Sequence, residues 1–139
     1  MVLLLMSLLT IMVVALFQSV RNEFYLTTNH RDQVQALYLA EAGLVDALTQ
    51  LELNPSWTAG FQDKQLPGMP GSYSVAFNTS GSAFTDRESV NNSDGTQPDN
   101  YRGADQIPTG YCSVIVVARV GTAERVLEGL IQMGGGLYP

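Results

Sequence analysis

The chain has 139 residues, a formal net charge of -6 and a single cysteine. That length holds one compact domain beside a membrane-grade segment. The acidic balance provides no basic patch for phosphates, which argues against nucleic acid as a partner, and the lone Cys112 rules out an intrachain disulfide or a cysteine-cluster metal site.

Apolar residues make up 45% of the chain, but they crowd into Met1–Phe17, where only Ser7 and Thr10 interrupt them. The first charge is Arg21, and neither Gly nor Pro appears before Gly43. At Asn54-Pro55 the pattern stops, because Pro55 lacks an amide donor and pushes the preceding residue out of helical geometry. Met1–Leu53 is therefore predicted as one helix, rising about 80 Å, and roughly 20 residues of it suffice to span a bilayer core. No Lys or Arg precedes the apolar run, and Ala15-Leu16-Phe17-Gln18-Ser19 is a poor cleavage site, so the run does not read as a secretory signal peptide. The missing basic start fits a positively charged leader already removed, with Met1 as the processed N-terminus.

Beyond the apolar run, residues 18–22 and 27–29 are weak helix formers flanking the aromatic pair Phe24-Tyr25, and any bend is expected there. From Val34 a three- and four-residue period returns in Val34, Leu37, Leu44, Val45, Leu48 and Leu51. This stripe predicts a face that packs on the rest of the chain, a reading preferred over a coiled coil because the heptad pattern is short. Trp57–Gly71, with its Pro and Gly residues, is predicted as a loop, and Ser72–Phe77 as a strand with Tyr73, Val75 and Phe77 on one face. Asn78–Gly110 is polar and predicted to be a long surface excursion. Tyr111–Arg119 is the strongest strand signal; residues 120–123 turn it, and Glu124–Met133 returns as its hairpin mate. The expectation is an α+β chain: a long N-terminal helix (1–53) whose second half (34–53) lies under a small, mainly three-stranded antiparallel sheet in a head spanning 54–139, followed by a Gly-rich tail.

Catalytic chemistry finds no purchase here. His30, the only histidine, stands among Asn29, Arg31 and Asp32 with no nucleophile and orienting group beside it, so it reads as solvated surface. Gly81 and Gly95 belong to no phosphate-cradling motif. The acids Asp86, Glu88, Asp94, Asp99 and Asp105 resemble an oxygen-rich calcium loop only in part: Val90 occupies the first-ligand place of Asn91-Asn92-Ser93-Asp94-Gly95, and no Glu closes it. Asn78-Thr79-Ser80 and Asn91-Asn92-Ser93 match the N-glycosylation pattern, which arises often by chance. The aromatics Phe17, Phe24, Tyr25 and Tyr38 read as packing between helices rather than as an electron-conducting stack. No cofactor, metal or catalytic residue is predicted, and the chain is expected not to be an enzyme.

One longer constellation speaks more directly. Asn29, Arg31, Asp32, Ala40, Glu41, Ala42 and Leu44, following an apolar helix, resemble the Asn-x-Arg-Asp and Ala-Glu-Ala-x-Leu runs of the PilX-like branch of the type IV pilin superfamily. The resemblance covers about Met1–Leu48. It implies a pilin fold and a structural filament subunit: a leader removed by prepilin peptidase, commonly methylation of the new terminus, an inner-membrane pool, and delivery by the pilus assembly machinery into an extracellular fibre of packed N-terminal helices. Met1, Leu3, Leu4, Leu5, Leu8, Leu9, Met12, Val13, Leu16 and Phe17 are then the expected filament-core residues, within a membrane or core segment 1–20. Val34, Leu37, Glu41, Leu44, Leu48 and Leu51 are the expected helix–head contacts. The partners are other copies of this chain or related pilins.

This sequence departs from the common pilin pattern in three ways. Leu5 replaces the usual Glu, as also happens in the PilX-like branch; Asn22 stands where many pilins have Pro; and the C-terminal disulfide loop is missing. Glu41, inside the apolar stripe, has two readings: a carboxylate paired with Arg31, Arg119 or a neighbouring subunit, or an acid at the stripe's exposed margin. The rival to the filament reading is a single-pass anchored extracytoplasmic binding module. Major, minor and tip roles, and adhesion, motility, DNA uptake or secretion, share this architecture and are not separated by the sequence.

Overall fold

The structure, a computed structural model, describes residues 2–79, 87–95 and 107–133. Helix α1 (Val2–Leu53) is followed by five strands: β1 (Phe61–Lys64), β2 (Ser72–Phe77), β3 (Glu88–Asn92), β4 (Tyr111–Val120) and β5 (Ala123–Gln132). The chain is thus α+β, with one long N-terminal helix and one sheet. α1 runs without a break through the weak helix formers at 18–22 and 27–29. It ends where Asn54-Pro55 requires: the Asn54 amide still bonds the Gln50 carbonyl (2.9 Å), and the Asn54 side chain then accepts from the Ser56 amide (3.2 Å) in a turn that redirects the chain.

The sheet is organised on β4. β5 pairs along its whole length in an antiparallel hairpin, from Val120–Ala123 to Tyr111–Gln132. The other flank of β4 is shared: β2 pairs antiparallel with its C-terminal half (Ser72–Arg119 to Val75–Val116), and β3 pairs antiparallel with its start (Val90–Ser113 to Asn92–Tyr111). β2 and β3 meet in a short parallel pairing at Ala76–Glu88 and Phe77–Ser89. β1 lies antiparallel on the outside of β2.

This corrects the expected three-stranded antiparallel sheet: the sheet is mixed and has five strands. Two strands lay hidden in predicted loops. β1 escaped because it is short and bulged. Asp63 has a positive φ of 45°, its amide donates to Ser74 Oγ (2.9 Å), and Ser74 Oγ donates to Asp63 Oδ1 (3.2 Å). It is entered at Gly60 (φ 68°), where a Cβ would stand 2.1 Å from the Val75 carbonyl oxygen. β3 escaped because its residues are polar, yet Ser89, Asn91 and Asn92 are buried and bonded. Asn91 Nδ2 donates to the Pro55 and Trp57 carbonyls (2.8 and 3.1 Å), and Asn92 Nδ2 to that of Ile107 (2.9 Å). Ser89 Oγ accepts the Ile115 amide (2.8 Å). The excursion predicted over 78–110 is therefore threaded into the head at least at 88–92, where burial is met by hydrogen bonds rather than by apolar side chains.

The core lies between the second half of α1 and one face of β4 and β2. Cys112, Val114, Val116, Ala118 and Val120 alternate along β4 to line it, with Tyr73 and Val75 from β2. From the helix come Ala36, Leu39, Ala40, Gly43, Ala47 and Leu51. The predicted stripe was Val34, Leu37, Leu44, Val45, Leu48 and Leu51, so the packed face is turned from it by roughly one residue, about 100° around the axis. Of the expected contacts, Leu51 is buried, and Leu44 and Leu48 are half-buried. Val34 and Leu37 remain 37% and 40% exposed, and Glu41 is exposed. The cause is distance. Small residues let the helix backbone approach the sheet closely, and a Cβ on Gly43 would stand 2.7 Å from both the Tyr73 ring and a Val116 methyl.

Gly43→Val is accordingly expected to destabilise the head by about 1–3 kcal/mol in denaturant unfolding, by overpacking. Val45→Ala, on the exposed side, is expected to change stability by no more than about 0.5 kcal/mol.

Candidate assembly surface

Side chains from Val2 to Thr27 are exposed, and the first buried one on α1 is Ala36. About 38 Å of helix, the Val2–Thr27 stretch, therefore stands clear of the head. Among the expected filament-core residues, Leu3, Leu4, Leu5, Leu8, Leu9, Met12, Val13, Leu16 and Phe17 all face outward; Met1 lies outside the described residues. The two polar side chains of this stretch spend their one donor proton on the helix itself. Ser7 Oγ donates back to the Leu4 carbonyl (2.9 Å) and Thr10 Oγ1 to that of Met6 (2.8 Å). α1 is long and apolar enough to cross a membrane by length and composition.

The magnitude decides what such a surface means. Covering a Leu, Val, Met or Phe side chain stabilises by about 1.5–3 kcal/mol, so the described core candidates together represent on the order of 20 kcal/mol. That exceeds the roughly 5–15 kcal/mol that holds a typical domain folded. Such a surface is strongly unfavourable in water.

The head is tied to α1 by a polar latch that the sequence reading missed. Asp46 is flanked on the helix by Val45 and the buried Ala47, and its carboxylate accepts from both the Lys64 ammonium and the Tyr73 hydroxyl. Lys64 also lies over the Phe61 ring (4.4 Å), which continues into an aromatic cluster: Phe61–Tyr73 edge-on at 5.9 Å, Trp57–Phe61 at 5.1 Å and Trp57–Phe77 edge-on at 5.2 Å. The Lys64 side chain is 41% exposed, so the ion pair itself contributes little. Tyr73 is fully buried, and its hydroxyl is the member that requires a partner. Burial pushes the Asp46 carboxyl up, but the bonds from Lys64 and Tyr73 and the Lys64 charge outweigh it and hold the group below its ordinary range. Burial, then the bond to Asp46, push the Tyr73 phenol well above its ordinary value. The carboxylate in need of a partner was thus Asp46. For Glu41, no ion pair or hydrogen bond is found among the described residues.

Two further ties close the head at its lower end. Arg125 Nη2 donates to Gln33 Oε1 (2.9 Å) across the helix–sheet junction. Glu124 accepts from Arg119 (2.7 Å) and pairs with Arg87 (2.7 Å); the bond from Arg119 first, then Arg87, hold its carboxyl below the ordinary range. Arg31, proposed as a partner of Glu41, pairs with its neighbour Asp32 (3.2 Å). His30 is exposed on the rod. Cys112 is buried in the core, and burial pushes its thiol up to about 12, which suits an inert packing residue.

The residues weighed as a calcium loop, and set aside in favour of a solvated one, lie only partly among the described residues, as do the two glycosylation tripeptides. Asp86, Asp99, Asp105 and Gly81 lie outside the described residues, as does the 134–139 tail. Glu88 belongs to β3 and Asp94 follows it. Asn91, the acceptor of one glycosylation pattern, is buried with its amide nitrogen held by two carbonyls, so in the folded head it is closed to a glycan. Asn78, the other acceptor, is 6% exposed.

Comparison of the chain with protein-family models, curated proteins and solved structures yields no match. The functional reading therefore rests on the residues and on this geometry.

The latch has a pH signature. A phenol whose folded pKa is raised contributes stability that is complete below its ordinary value of 10.0 and is lost as pH rises through the folded value. Thermal unfolding of the head, followed from about pH 8 to 11, is expected to show a falling Tm at the alkaline end. Tyr73→Phe is expected to cost about 1 kcal/mol at the neutral end and to make the alkaline fall shallower.

Proposed function

We propose that this chain is a structural subunit of a type IV pilus or pilus-like extracellular filament, with the pilin fold its sequence resembles. The observation that carries the reading is the free half of α1: a continuous helix with outward-facing apolar residues from Val2 to Val20, the Ser7 and Thr10 hydroxyls within its apolar run turned back on their own backbone. Such a helix belongs in lipid or against other apolar helices, and moving from one to the other leaves no large apolar surface in water. With Leu5 where many pilins carry Glu, this stretch has no side-chain charge with which to dock. Assembly then depends on shape and apolar contact alone. The partners are further copies or related pilins, after an inner-membrane pool and handling by prepilin peptidase and the assembly machinery. The head supplies the filament's outer surface and is assigned no catalytic role.

The test is electron microscopy of sheared extracellular material, with mass spectrometry of the N-terminus of this chain. Fibres built chiefly of this chain, with its apolar helix at the processed terminus, are the expected result. A chain confined to the membrane fraction, with no fibres, would favour the anchored binding module instead. Leu9→Lys and Val13→Asp are expected to abolish fibres while head unfolding shifts by less than about 0.5 kcal/mol, because neither residue touches the head.

A further inference from the structure

We propose that Arg21, Phe24 and Tyr25 form an interfacial collar that seats α1 at the headgroup layer of a phospholipid bilayer, with the Arg21 guanidinium on lipid phosphate. The inference rests on reading Val2–Val20 as a lipid-grade helix and adds where that helix stops in the bilayer and what stops it.

The first observation is length. Val2–Val20 carries no charge, and at 1.5 Å per residue it covers at least about 28 Å, against a hydrocarbon core of about 30 Å. Arg21 therefore falls at the boundary. The second is exposure: Phe24 and Tyr25 are 75% and 61% exposed, and the first buried helix residue, Ala36, is about 17 Å further up the rod. The head does not cover these rings. Aromatic rings collect where one end of a side chain is apolar and the other wet.

The third observation is direction. Side chains on a helix normally lean towards its N-terminus, which would carry Arg21 down into the apolar run. Instead its Nη2 lies 3.5 Å from the Tyr25 hydroxyl, and its guanidinium carbon 5.7 Å from the Tyr25 ring centroid. The charge is held beside the Tyr25 ring rather than laid along the apolar segment, a posture open to a headgroup. Arg21, Phe24 and Tyr25 stand at i, i+3 and i+4 and so share one side of the helix, whereas Glu23 points to the other. Next up the rod, Arg31 is engaged by Asp32. A planar guanidinium beside a phenol is complementary to a phosphate oxygen pair.

The test uses the full chain in vesicles of phosphatidylcholine and phosphatidylglycerol whose acyl chains carry bromine either just below the headgroup or near the bilayer centre. Phe24→Trp places an indole in the collar, and subtracting the signal of the parent chain removes the contribution of Trp57. Shallow bromines are expected to quench the new indole at least about twice as strongly as deep ones. In the same background Arg21→Leu is expected to lower that ratio about twofold as the helix sinks, and Arg21→Lys to restore it. A chain that floats with the vesicles but whose indole is unquenched, or is quenched more by deep bromines, overturns the collar and leaves the apolar-helix reading intact. So does a blue-shifted, unquenched indole, which would place Phe24 between neighbouring helices. A chain that does not float with vesicles at all overturns both.

Discussion

The fold depends on one close approach. Gly43 sits under the Tyr73 ring and Val116, with Ala36, Ala40 and Ala47 continuing the same narrow face. Larger residues at these positions would hold the sheet away from the helix axis, and Leu39 and Leu51 would no longer reach the alternating valines of β4. The approach also sets the depth at which Tyr73 enters, and hence the need for a hydrogen-bond acceptor on the helix at the level of its hydroxyl. Asp46, three residues beyond Gly43, fills that need. Packing and polar satisfaction at this junction are thus one constraint, because moving the helix outward would both open the core and leave a buried hydroxyl without its partner.

β4 transmits this constraint through the head. It is buried along nearly its whole length, so each neighbour that pairs with it inherits a fixed distance from α1. β5 lies alongside it at the sheet edge, bringing Leu127 and Ile131 to the core and Arg125 to Gln33. β3 is placed differently: its asparagines bind the carbonyls of Pro55, Trp57 and Ile107, so the turn that ends the helix and the segment before β4 are fastened by side-chain amides. The aromatic cluster of Trp57, Phe61, Tyr73 and Phe77 then fills the end of the core near the helix terminus.

One helix accordingly serves two surroundings. Its second half is solvated on one side and packed by small residues on the other, while its first half is almost wholly apolar and its side chains are exposed. Between them, residues 18–35 carry the aromatic and charged side chains of a boundary. The unbroken hydrogen-bonded backbone joins the two halves rigidly, so whatever fixes the depth or neighbours of the apolar half also fixes the position of the head.

Local signals carried far in this sequence. The extent of α1 was legible because an apolar run without Gly or Pro ends at Asn54-Pro55, and the β4–β5 hairpin because two long β-prone runs flank a tight turn. The outward apolar surface of residues 2–17 followed from composition alone. Other features depend on residues far apart in the chain. Counting large apolar side chains turned the predicted packing face toward Val34 and Leu37, because alanine and glycine weigh little in such a count; the close approach that makes them the right choice exists only once Tyr73 and Val116 lie across from them. β3 reads as loop because Ser and Asn are polar, and only the folded chain supplies the carbonyls that make their burial favourable. Asp46 looks like any helix-surface acid until Lys64 and Tyr73 are brought to it. Hydrophobic periodicity and chain-breaking residues act within a few turns of sequence and are visible there, whereas rotational phase, bulged edges and buried polar pairs are settled by contacts that form only when the sheet closes on the helix.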